Sequence, residues 1–370
     1  GDRVGTGTMA RAVPRHTRVA AEAAAERADE VEVKPLPLGL GVRAGLHDWH
    51  TWLVQPVHAS SLGVFRVVFS ICMYVQATHF NYIFEDFMTS KGVYPYPGLG
   101  WIRPPPPAVG EMLLRLNKVA ALLTGLGLLT RMATVTLFVT FTWIFLVCES
   151  NHNNHYILIC HVTFVFSAID WGRWGSLDSL LAAWRRRRSG GGGADVTVPY
   201  WHLLLAQLLF SIPYAFGAVA KLNEDWMLRA QPLKMWLAPH SHHTAWVPFG
   251  FGDSPLFPWA IAWGGFAFDL CIVPLLCLHV TRYTLAFPSA IAFNISNKMM
   301  FNIGVFPYAM LASLVLFLPP CFIARVVARF VPSEGLARYT PPHWHRWVML
   351  PVMPPRDALP EGGRGGRGGR

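Results

Sequence analysis

The chain has 370 residues, of which 53% are hydrophobic and 14% charged, and a formal net charge of +10. An ordinary soluble domain carries about 25% charged residues, and no nucleotide loop, Gly-x-Ser-x-Gly elbow or Cys/His nucleophile pairing is present, so soluble hydrolase and kinase readings fail. The basic excess sits in loops and tails beside apolar runs, where it sets orientation and touches anionic membrane lipid rather than nucleic acid.

In chain order, residues 1–58 read as an N-terminal tail and interfacial segment, partly disordered. They are rich in Ala and Arg but carry the acids of "AAERADEVEVKP" and no apolar core of a secretory signal. Residues 59–330 then hold apolar windows of the length that crosses a bilayer, about 17 to 25 residues. The windows are Leu62 to Phe80, Met112 to Thr130, Met132 to Glu149, a shorter Tyr156 to Ile169, Trp201 to Lys221, Phe257 to His279, Tyr283 to Met299 and Ile303 to Pro320. The expected fold is therefore all-α, a polytopic integral membrane bundle of about eight transmembrane helices. Residues 331–370 read as a C-terminal tail whose "EGGRGGRGGR" end is low-complexity. The six cysteines form no CxxC pair and read as small buried apolar side chains, with no disulfide framework or metal site.

Orientation follows from arginine. The run Arg185 to Arg188 marks the cytosolic side or its equivalent, and alternation then places Arg131, Arg282, Arg325 and Arg329 on the same side. Three helices bring polar residues to the opposite face. His155 opens the fourth span there, Lys221 ends the fifth, and Asn294, Asn297 and Lys298 lie toward the end of the seventh.

Each polar feature has two readings. Lys221 either snorkels to the interface and offsets the helix dipole or, with Asn223, Glu224 and Asp225 within one turn, belongs to a structured polar site where an apolar pocket makes its amine a usable base. "NHNNHY" is either a hydrophilic turn with an asparagine cap or a site in which His155 handles a proton and Asn153 and Asn154 bond a carbonyl or phenol oxygen. "HSHH", His240 to His243, reads as a surface turn because no carboxylate or cysteine stands at a ligand spacing. Asn294, Asn297 and Lys298 share one helix face, which must turn inward because amides facing lipid are costly. Arg66 and Asp269 are single charges inside apolar runs, read as an intramembrane ion pair or cap.

The segments "SSLGVFRVVFSICM" with Arg66, "NNHYILICHVTFVFSAIDWGRWGSLDSLL" with Asp170 and Asp178, "VAKLNEDW", "QPLKMWL" and "MMFNIGVFPYAMLAS" occur in that order. Together they resemble the membrane domain of vitamin K-dependent gamma-glutamyl carboxylase and the related HTTM-domain proteins. The resemblance implies a carboxylase-like lyase in which Lys221 stands at the base that deprotonates reduced vitamin K or another quinol, His155 at the essential histidine and Asn154 at the amide contacting the quinol. It implies that oxygen converts the quinol to an epoxide while a strong base takes a gamma proton from glutamate and carbon dioxide captures the carbanion. Two departures are visible. Asn294 stands where the carboxylase has a histidine, and about fifty residues follow the last window, where the carboxylase carries a large substrate-engaging domain. They support an alternative: a non-catalytic lipid- or quinone-binding subunit or scaffold of a larger organellar complex, with protein partners. The resemblance places the chain in the endoplasmic reticulum, and the Ala/Arg-rich leader in a plastid or mitochondrial membrane.

Overall fold

The computed structural model describes residues 46–83, 93–190, 195–239, 241–242, 244–301, 303–320 and 322–330. The N-terminal tail up to residue 45, the C-terminal tail from 331, His240, His243 and Cys321 lie outside the described residues.

Among those residues the regular structure is helical except for one two-stranded ribbon. In chain order the helices are α1 (Leu46–Val54), α2 (Ser60–Ile83), α3 (Pro107–Leu126), α4 (Thr130–Leu146), α5 (Asn154–Ala168), α6 (Leu177–Arg188), α7 (Tyr200–Lys221), α8 (Phe257–Cys277), α9 (Phe287–Met300), α10 (Phe306–Ser313) and α11 (Phe322–Phe330), with one-turn pieces between. Apolar runs choose the helix because each backbone N–H and C=O then finds its partner within the run, which a hydrocarbon surrounding demands.

Each of the eight apolar windows falls on a helix, but the helices differ in reach. Ser60–Phe80, Tyr200–Lys221 and Phe257–Cys277 are long and apolar enough to cross a membrane; Thr130–Leu146, Asn154–Ala168 and Phe306–Phe317 are apolar but shorter. Helix α3 has the length, at 20 residues, but carries Glu111, Arg115 and Lys118. The seventh window opens on a π-helical turn, Arg282–Ala286, that runs directly into α9.

Helices α2 to α5 pack in sequence, α5 lies against α7, α7 against α8, α8 against α9, and α10 returns onto α2. Aromatic side chains join these layers: Phe65 of α2 meets Phe166 of α5 at 5.2 Å and Phe210 of α7 at 5.1 Å between ring centroids. Gly125 lets α2 and α3 approach closely, since a Cβ there would lie 3.2 Å from the Ser70 Cβ.

Arg66, fully buried, is a cap rather than half of an ion pair. Its guanidinium donates to the Thr124 and Gly125 carbonyls at the end of α3, at 2.9 and 3.0 Å, and to Gly175 O at 2.5 Å. Across the same turn, Asp178 accepts from the Leu129 and Thr130 amides at 2.9 and 2.8 Å and from Thr130 Oγ1 at 2.7 Å. A cation thus sits on the carbonyl end of one helix and an anion on the amide end of the next, each complementing the local dipole. Gly127 between them has φ +67, and any side chain there would collide with the Arg66 guanidinium.

Strand β1 (Pro56–His58) pairs antiparallel with β2 (Thr197–Pro199), Val57 opposite Val198. His58 Nδ1 accepts the Ser60 N–H at 3.1 Å, which requires the neutral ring. Burial pushes its pKa down to about 4. The folded state therefore resists protonation: the stabilisation is complete above about pH 6.5, shrinks as pH falls, and is gone below about pH 4, a swing of about 3 kcal/mol. Thermal unfolding from pH 7 to 4 should show His58→Gln losing less stability than the parent chain, and equal acid sensitivity would refute this role.

Candidate active site

At the end of the bundle opposite Arg66, helix α7 terminates on Lys221 and α5 begins at Asn154. Asn153 is the N-cap of α5: its Oδ1 accepts the Tyr156 N–H at 2.8 Å, and its Nδ2 donates to Asn151 O at 3.1 Å. That cap aims His155 inward, where its ring packs on Phe306 with centroids 4.2 Å apart.

A cavity of about 1010 Å³ opens between α7, α8, α9 and the start of α5, with Asn154, His155, Lys221 and Asn297 in its wall. The remaining wall is largely apolar, with aromatic faces from Trp226, Trp236, Phe293, Phe301 and Phe306. Such a mixture of apolar surface and few polar groups typifies a small-molecule site. Gly264 and Gly265 belong to the same wall, and a Cβ on Gly265 would already touch Lys221 Cε at 3.9 Å. A smaller cavity of about 530 Å³ adjoins it, lined by Gln76, Asn153, Tyr156 and Lys298. His155, Ile303 and Phe306 line both.

Lys221 forms an ion pair with Asp269 of α8, the side chains retaining 18% and 6% exposure. The ammonium also donates to Gly217 O at 3.4 Å and lies 5.2 Å from the centre of the Trp226 ring. Trp226 is held in turn by its indole N–H, which donates to Ala262 O of α8 at 2.9 Å. Glycine at 217 is needed because a Cβ would run into the Asp269 carboxylate. The arrangement presents an ammonium, backed by a carboxylate, to a largely apolar space.

The structure corrects two expectations about these residues. The polar neighbours of Lys221 in sequence are not its partners: Glu224 and Asp225 pair with Arg229 at 2.7 and 2.9 Å, and Asn223 caps the one-turn helix Glu224–Met227. Asn294, Asn297 and Lys298 do turn inward, the exposed side of α9 being taken by Ile291, Ile295 and Met299, but they do not share one site. Asn297 reaches the large cavity and Lys298 the small one, its ammonium 5.9 Å from the centre of the Tyr308 ring. Asn294 lines neither; it is buried, with Nδ2 donating to Ala290 O at 2.9 Å.

Asp269 was visible in sequence only as a lone charge, 48 positions from its partner. The aromatic wall had no sequence signal separable from ordinary membrane-helix composition. Of the histidine run, His242 lies in the loop before α8 and lines neither cavity.

A family model described as the HTTM domain matches residues 54–321, more than two thirds of the chain. No solved structure matches it.

Proposed function

Since the chain belongs to the HTTM domain family, we propose that it is an integral membrane enzyme that oxidises a quinol in the large cavity, in the manner of the vitamin K-dependent carboxylases it resembles. One observation carries this reading: Lys221 and His155, from separate helices, line the same aromatic-walled cavity. The residues suit such a ligand. Trp226, Trp236 and Phe306 offer faces for a flat ring, while Lys221, His155, Asn154 and Asn297 supply the polar contacts its oxygens need.

Lys221 takes the phenolic proton, and Asp269, its ion-pair partner, holds the amine at the cavity wall and offsets the charge it gains. His155 and Asn154 orient the ring oxygen from the opposite side. Trp226 and Phe306 exclude water, which keeps these interactions strong. When bound, the quinol supplies the electrons that reduce oxygen. We propose further that all eight helices share one bilayer, with the arginine-bearing end on the cytosolic side.

The test is epoxide formation from added quinol by the purified full chain under oxygen. Lys221→Ala is expected to lower the rate by at least about 10²-fold, the range for a positioned acid–base group. Unchanged turnover in that variant would end the assignment.

A satisfied ion pair also supports a second reading, in which Lys221–Asp269 merely pins α7 to α8 and the chain is a non-catalytic quinone- or lipid-binding subunit. Quinone retained through purification, no epoxide from the intact chain and a stoichiometric partner protein would favour it.

A further inference from the structure

Helix α6 plays no part in the two cavities at the Lys221 end of the bundle; its inner side, with Asp178, Ala182 and Arg186, borders a small separate hollow of about 260 Å³. Its sequence, "LDSLLAAWRRRR", sets Leu177, Leu180, Leu181 and Trp184 at spacings of three, four and seven, which is one helical face. All four are exposed, Leu180 at 65% and Trp184 at 56%, and no residue of the helix is buried. The last turn carries Arg185 to Arg188, each exposed, and among the described residues none of the four forms an ion pair. Arg188 lies over the Trp184 ring at 5.4 Å, so guanidinium and indole occupy the same level.

The position of α6 in the fold says what meets this face. Its N-cap, Ser176, is buried, and Asp178 in its first turn caps the start of α4. Gly175, immediately before it, is held by Arg66 at the end of α3. The helix therefore leaves the bundle at the level where α3 ends and α4 begins, the plane of a membrane surface. From there it runs outward with a leucine and tryptophan face and a crown of arginines.

From this geometry we propose that α6 lies in the membrane interface, its apolar face among acyl chains and Arg185 to Arg188 on the phosphates of anionic phospholipids. The apolar side chains and the tryptophan suit the headgroup boundary. Four clustered cations, of which Arg186 lies near Asp195, select anionic over zwitterionic lipid, because arginine bonds phosphate through two donors at once. The site lies at the far end of the bundle from the cavities and does not depend on the reaction assigned to them.

Backbone hydrogen exchange of residues 180–188 tests it, with the full chain in nanodiscs of phosphatidylcholine alone or of phosphatidylcholine mixed with phosphatidylglycerol. Exchange is expected to be slower with phosphatidylglycerol by about fivefold or more, the effect of a single arginine at an anionic surface. High salt should erase the difference in the unmodified chain. So should the combined variant Arg185→Gln, Arg186→Gln, Arg187→Gln and Arg188→Gln. Leu180→Ser with Trp184→Ser should exchange fast in both lipids. Equal exchange of the unmodified chain in the two lipids overturns the proposal, as does protection that appears only on adding a soluble protein.

Discussion

Replacing Asp269 by asparagine is expected to destabilise the folded protein by about 3–5 kcal/mol, the cost of leaving one charge of a buried pair without its partner. Lys221 retains only 18% exposure, and beyond Asp269 its contacts are a carbonyl at 3.4 Å and the Trp226 ring. Its ammonium would have no anion to offset its desolvation. Lys221→Met with Asp269→Leu removes both charges while keeping side chains of similar bulk, and should recover most of the loss, because isosteric apolar replacement of a buried pair is often neutral. Thermal unfolding of the two single variants and the double variant in one detergent measures this coupling. Near-additive losses would mean that the pair contributes nothing as a pair. The double variant also separates the two readings of Lys221: it should be folded, yet unable to form epoxide if the amine is the base.

Arg66→Met should cost a comparable amount, about 3–5 kcal/mol, through a different loss. Three carbonyls would lose their donor, that of Thr124 in a buried bond and those of Gly125 and Gly175 in part-buried ones, and bonds from a charged donor are worth about 1.5–3 kcal/mol each. The effect should reach beyond one helix, because the guanidinium ties α2 to the end of α3 and to the segment leading into α6. Arg66→Lys should rescue only part, since a single ammonium cannot span carbonyls placed around a planar fork. Stability within 1 kcal/mol of the parent for Arg66→Met would show that the carbonyls find other donors.

Local chemistry made much of the scaffold legible. Long apolar runs in a chain poor in charge specify helices, because lipid leaves the backbone no other partner. An asparagine cap in the turn before α5 was readable for the same local reason, a short amide before an apolar run satisfying an amide two or three residues on. That it is Asn153, expected instead to bond a ligand oxygen, came from the structure. The end of α7 at Lys221 and the entry of α5 at His155 follow from where those runs stop, and alternation of the runs sets both residues at one end of the bundle.

Rotation about each helix axis and the choice of neighbours were decided only by tertiary packing. Lys221 has acids three and four residues away, yet pairs with Asp269, because the chain turns Glu224 and Asp225 toward Arg229 while α8 packs against α7. Asn294, Asn297 and Lys298 share the inward side of α9 but meet three different surroundings, since the packing around that side differs along its length. Hydropathy is a sum over a run and survives any rotation of the helix. A side-chain contact is a direction, and only close packing of the assembled bundle selects one.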